Sequence, residues 1–124
     1  MPALHNAAAA ALAAARRLGG VAATLTRRGL DPTTINALVG KWVFKVETPG
    51  QASAAIHYVE TRDYLLPAAE YVLAGGPVTP QAGDTITEGT RIYQVVSVNG
   101  EPPWRWADPG QTWLRLHTQY SGEV

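Results

Sequence analysis

The sequence predicts a mainly β protein of α+β type, a small β-barrel of roughly five or six short strands with an N-terminal α-helix. Three observations carry this. Alternating apolar runs of strand length recur between Val21 and Tyr120, turns containing Gly or Pro punctuate them, and one Ala-rich helical pattern stands alone at the N-terminus. A chain of 124 residues is expected to form a single domain, with the helix in 1–19 and the barrel in 20–120.

Leu4–Leu18 reads as the helix because Ala, the best helix former, dominates it. Leu4, Ala8, Ala11, Ala15 and Leu18 fall on one stripe, with Leu12 at its edge. Arg16 and Arg17 complement the carbonyl end of the dipole, and Gly19-Gly20 supplies the stop. The small-residue face suits either capping of the barrel's own sheet or packing on another subunit. Leu4 and Leu12 are the interface candidates under the second reading.

Val21–Arg27 reads as a strand with Val21, Ala23 and Leu25 on one face. In Arg28–Val39, Asp31-Pro32 marks a turn, and Thr33–Val39 is expected as a short helical turn or irregular loop. Lys41–Glu47 is a cleaner strand, with Trp42, Phe44 and Val46 alternating against polar residues. Thr48–Ala52 turns the chain at Pro49-Gly50. Ala55–Thr61 resumes β character, continued by Arg62–Leu66, and Pro67–Leu73 reads as one helical turn opened by proline. Asp84–Thr87 is a short strand. In Arg91–Val98, Ile92, Val96 and Val98 share a face; in Trp113–Tyr120, Leu114, Leu116 and Tyr120 do. The last residues are expected to fray.

Composition narrows the function. Formal net charge is zero, so no overall basic field draws nucleic acid. There is no cysteine, which removes disulfides and thiolate chemistry and suits a cytosolic place of synthesis. The N-terminal apolar run lacks the charge order of a secretory signal, and no segment reaches the ~18 apolar residues of a membrane span. A soluble intracellular protein with no membrane partner is expected. His5, His57 and His117 lack metal-ligand spacing. Asp84 and Asp108 sit in Gly- and Pro-containing turns that their carboxylates can brace, and no serine has an elbow-type glycine context. The expectation is no enzyme, no catalytic residues, no metal and no cofactor.

Glu101–Trp106 (EPPWRW) stands out. Pro102-Pro103 removes two backbone donors, so the segment is not expected as an internal strand and should project from the sheet. It would carry Trp104, Arg105 and Trp106, side-chain types enriched among interface anchors. The competing reading folds one Trp back on the barrel, with Arg105 stacked on a ring. Arg16 and Arg17 together with Arg27 and Arg28 form a candidate DNA-facing basic patch, with ordinary solvated charge as the alternative.

Thr61–Thr118 resembles the head-closure or stopper proteins of tailed bacteriophages, also described as head–tail joining or neck proteins. The resemblance rests on Arg62-Asp63-Tyr64-Leu65 leading into Pro67-Ala68-Ala69, on Pro80–Ile86 (PQAGDTI) and on Ile92-Tyr93-Gln94-Val95-Val96. Glu101–Trp106 and Leu114–Thr118 (LRLHT) complete it. It covers roughly the C-terminal half, and the Ala-rich helix departs from it. It implies a barrel protein forming a homo-oligomer, a dodecameric ring below the portal and adaptor. That ring closes the DNA-filled head, docks tail-side virion proteins and passes packaged DNA through its lumen. The place implied is the virion neck, assembled in the host cytoplasm, with Thr48–Ser53 or Asn99–Gln111 as the gating loop. Two further readings are a tail-terminator ring and a small β-barrel module for a peptide or single-stranded nucleic acid, using Trp104, Arg105 and Trp106.

Overall fold

The computed structural model describes the backbone of residues 3–47, 57–97 and 100–124, with side chains from residue 7 to 44, 59 to 97 and 100 to 124. Helix α1 spans Ala3–Gly19 and lies against strand β2 (Thr33–Glu47). Its described side chains are at most half-buried, and Leu18, placed on the packed stripe by sequence, is 93% exposed. Of that stripe Ala8, Leu12 and Ala15 are half-buried and Ala11 is exposed, with Ala9, Ala13, Ala14 and Arg16 half-buried beside them. Arg16 is the tether. Its Nη1 donates to the Asn36 carbonyl at 3.1 Å, both Nη groups meet Glu70, and the guanidinium lies over the Trp113 ring.

Where helix meets strand, the chains approach closely. A Cβ on Gly20 would sit 2.6 Å from the Arg16 carbonyl oxygen and 2.5 Å from Asn36 Oδ1. Gly20→Ala is therefore expected to displace α1 and cost about 1–3 kcal/mol. A lowered urea midpoint with an unchanged m-value would show it; an unchanged midpoint would count against the close approach.

Strands β1 (Val21–Thr26), β3 (His57–Pro67), β6 (Thr85–Glu88), β7 (Arg91–Val95) and β9 (Trp113–Glu123) join β2 in a closed antiparallel barrel. The order β3-β2-β1-β6-β7-β9 returns to β3 through the β3–β9 pairing. Closure removes the free edges an open sheet would expose. Between β3 and β6 lie a 3-10 turn at Ala68–Glu70 and a two-residue hairpin, β4 (Val72–Leu73) and β5 (Gly76–Pro77). Alternate residues Ala23, Leu25, Ile35, Ala37, Tyr64, Leu66, Ile86, Tyr93, Leu114 and Leu116 fill the interior, with Tyr71 and Leu73.

Thr33–Val39 is strand, which corrects the expectation of a helical turn or loop. Its Ile35 and Ala37 lie opposite Ala23 and Val21 of β1, so burial decides what weak local preference does not. β2 passes from β1 to β3 after Ala37, pairing with β3 from Leu38 to Glu47 across a register shift between Val39 and Trp42. In β7 the core-facing residues are Tyr93 and Val95, fully buried, while Ile92 and Val96 are half-buried and Val98 lies outside the described residues. The shift between Ile92 and Tyr93 against β9 sets that phase. The C-terminus does not fray, because β9 runs to Glu123, opposite Arg91. Thr48–Ser53, one of the two gating-loop candidates, lies outside the described residues.

Candidate functional site

The Trp-containing segment does not project. Trp104–Trp106 forms a short strand, β8, paired with Trp104 opposite Leu116 and Trp106 opposite Leu114. β7 and β8 lie on the same edge of β9 and run in the same direction, so they are two halves of one interrupted strand. Val96 N–H donates to the His117 carbonyl at 3.0 Å, and His117 N–H donates to the Pro103 carbonyl at 2.9 Å. The chain leaves the sheet on one side of His117 and returns on the other. Prolines at 102 and 103 are tolerated because this is a sheet margin.

Arg105 is the residue whose main chain faces β9, as the flanking Pro103 and Ala107 bonds to His117 and Trp113 show. The N–H and C=O groups of Trp104 and Trp106 therefore face the open side. Trp104 packs against the core, and the Trp106 ring meets it edge-on at 5.1 Å while staying 38% exposed. Arg105 is exposed. Beside this edge is a groove of about 260 Å³, lined by Ala68, Pro77–Pro80, Trp104, Trp106 and Leu114. Asp108 fixes the far end of the segment, accepting from Thr112 N–H, Thr112 Oγ1 and Trp113 N–H at 2.7–2.9 Å.

The four arginines of the candidate basic patch separate into two pairs. Arg16 and Arg27 are bonded to carboxylates, Glu70 and Asp84. Arg17 and Arg28 are exposed. Of the helix candidates, Leu12 is half-buried, and the Leu4 side chain lies outside the described residues.

Two charged clusters are built into the barrel, and neither was legible in the sequence. Asp84, 2% exposed, accepts from Arg27 Nε at 2.8 Å, Arg27 Nη2 at 3.0 Å, the Gln81 N–H and the Tyr71 hydroxyl. Toward the other end of β3, buried Glu60 accepts from Trp42 Nε1 and the Tyr93 hydroxyl, each at 2.7 Å, and from Arg91. Arg62 stacks over the Tyr93 ring at 4.6 Å and donates to Glu88 at 2.8 Å; Tyr64 donates to the same Glu88 oxygen at 2.9 Å. Asp84 was expected to brace its local turn, and the Gln81 bond does so. Its main partner, Arg27, lies 57 residues away.

Burial alone would raise the Asp84 carboxyl, but the bonds from Arg27 and Tyr71 outweigh it and hold it below its ordinary value of 3.8. Glu60 is likewise raised by burial but held below 4.5 by Tyr93, Trp42 and Arg91. Asp108 is raised by burial but lowered overall by its Thr112 and Trp113 bonds. Burial and the Glu60 bond push the Tyr93 hydroxyl up to about 12, which keeps it a donor. Carboxyls depressed in the folded state stabilise above their unfolded values and lose that contribution as pH falls through the folded ones. Stability should therefore be flat near neutrality and drop steeply below about pH 4. Urea titrations across pH 2–8 would show this, and a curve level down to pH 2 would contradict it.

Among the described residues, no group of three or more His, Cys, Asp and Glu side chains is arranged to hold a metal. His117 is paired with Asp63 at 3.1 Å, beside an Arg115–Asp63 bond of 2.9 Å. Among the described residues, no helix is long and apolar enough to cross a membrane.

A search of the curated proteins found no match to this sequence. The sequence does match a protein family along residues 1–124, and the family is described as phage head-tail joining protein. That match extends the resemblance from the C-terminal half to the whole chain, including the Ala-rich helix. With a closed β-barrel carrying one N-terminal helix and a match over its full length, this chain belongs to the phage head-tail joining proteins, components of the joint between head and tail.

Proposed function

We propose that this protein is the stopper-type subunit of the neck, a structural rather than catalytic part that assembles in the host cytoplasm as a homo-oligomeric, dodecameric ring. The ring closes the DNA-filled head, contacts the portal or adaptor on one side, and docks tail proteins on the other. The observation that carries this reading is the family match over all 124 residues. A closed barrel supports it, because a rigid subunit whose own sheet has few open edges meets its neighbours through chosen surfaces. In such a ring, exposed Arg17 and Arg28 are the arginines that would face DNA, while Arg16 and Arg27 hold the subunit together. The candidate gate is the Asn99–Gln111 loop or Thr48–Ser53.

Val124 is exposed at the C-terminus, which makes it a suitable tag site. Electron microscopy of particles carrying the tagged chain should show label at the head–tail junction, on the head side of the joint. Label on the tail side would replace the stopper with the tail-terminator reading. Absence of label from the junction would overturn both.

A further inference from the structure

Two apolar features of the described surface lie far apart in the chain's own fold. One is the pair Trp42 and Phe44, 57% and 52% exposed, on the part of β2 that continues past its pairing with β1. The other is the groove walled by Trp104, Trp106 and Pro77–Pro80. Trp42 and Phe44 stand opposite Arg62 and Glu60, near the start of β3, whereas the groove includes Ala68, just past its end. At ~3.3 Å per strand residue these places are roughly 20 Å apart. The two features cannot meet within one chain.

We infer that they meet between chains: the β2 surface bearing Trp42 and Phe44 of one copy seats in the Trp104/Trp106 groove of the next. Three observations select this occupant. At about 260 Å³ the groove is smaller than the ~300–1,000 Å³ of small-molecule sites and suits an aromatic side chain. Its wall is a strand edge with main-chain groups of Trp104 and Trp106 facing outward, which favours an extended partner segment. One charge pair is complementary, set against exposed Arg105 between the two Trp residues. Lys41 beside Trp42 and Glu101 ahead of Trp104 are both exposed, and neither has an ion pair among the described residues.

A contact between two different patches of identical chains is heterologous, and it repeats head to tail until rotation closes it. The inference deepens the ring reading and rests on it for that closure.

The chain has no cysteine, so introduced thiols report only the contact tested. Lys41→Cys and Glu101→Cys are made singly and together, and oxidised both in concentrated purified protein and in tagged particles. The mixed single variants should yield linked dimers and the double variant a ladder of multimers, with neither single variant linking alone. In the chain without introduced thiols, Lys41→Glu or Glu101→Lys should lower the multimer fraction of concentrated protein, read by sedimentation velocity, about two- to fivefold, and the two reversals together should restore it. Phe44→Ala should lower it about tenfold.

Linkage by a single variant alone at the same yield overturns the inference, because it marks collision or an isologous contact. No linkage in particles that carry the tag at the neck overturns it and leaves the neck reading standing. Specific linkage in purified protein without label at the neck sustains this contact and removes the neck reading. Absence of both removes both.

Discussion

Replacing Asp84 with alanine is expected to destabilise the protein by about 3–5 kcal/mol, the cost of leaving a buried charge without its partner. The lost carboxylate accepts four hydrogen bonds, two from Arg27 and one each from Gln81 N–H and the Tyr71 hydroxyl. Water cannot easily replace it, because Asp84 and Tyr71 are both buried. Arg27 keeps one further acceptor, the Thr79 carbonyl at 2.8 Å, too little for a guanidinium held on the barrel margin. The melting temperature should fall by on the order of 10 °C. Removing both charges in an Arg27→Leu, Asp84→Leu chain should recover much of the loss, since an apolar pair leaves no orphaned ion. A double variant no more stable than Asp84→Ala would show that the pair fixes the turn rather than satisfying a charge.

Glu60→Ala should be the next most damaging change, at about 2–4 kcal/mol. Four groups lose their acceptor or counter-ion: Trp42 Nε1, the Tyr93 hydroxyl, Arg91 and, at 3.6 Å, Arg62. Arg91 is partly exposed and can turn to water, which makes this loss smaller than that at Asp84. Tyr93 cannot turn, being fully buried between the Tyr64 and Tyr120 rings at 5.8 and 5.9 Å. Arg62 already has a buried Nε without a hydrogen-bond partner, so the cluster has little slack. Damage should be local as well as global. Amide exchange along Lys41–Phe44 should quicken more than along Thr33–Ala37, which β1 still holds. Uniform acceleration along β2 would place the Glu60 contribution in the whole barrel instead of this end.

What the sequence revealed and what it hid follow from the range of the forces involved. Helix α1 and the inward alternation of Leu114 and Leu116 were legible because composition and periodicity are local. The first half of β2 was not, since Asn36 and Ala37 interrupt the strand-favouring Thr33–Ile35 just after the Asp31-Pro32 turn, and only pairing with Val21–Leu25 decides the segment. The Trp segment misled for a related reason. Pro102-Pro103 does forbid an internal strand, but a margin needs bonds on one side only, and Arg105 supplies them. The ions facing the barrel interior were the least accessible. Arg27 and Asp84, or Glu60 and Arg91, are ordinary surface residue types, and nothing nearby in sequence announces a partner 57 or 31 residues away.

The break between β7 and β8 bears on how the gene can vary. Val96 and Pro103 are both held by the main chain of His117, one through its carbonyl and the other through its N–H. Whatever length of chain joins them, the barrel sees the same two anchors. Closing a longer loop costs only about 0.6 kcal/mol per doubling. Residues can thus be added or removed between these anchors without shifting the register of β8 on β9. That makes this junction a place where related chains can differ in length while keeping one barrel.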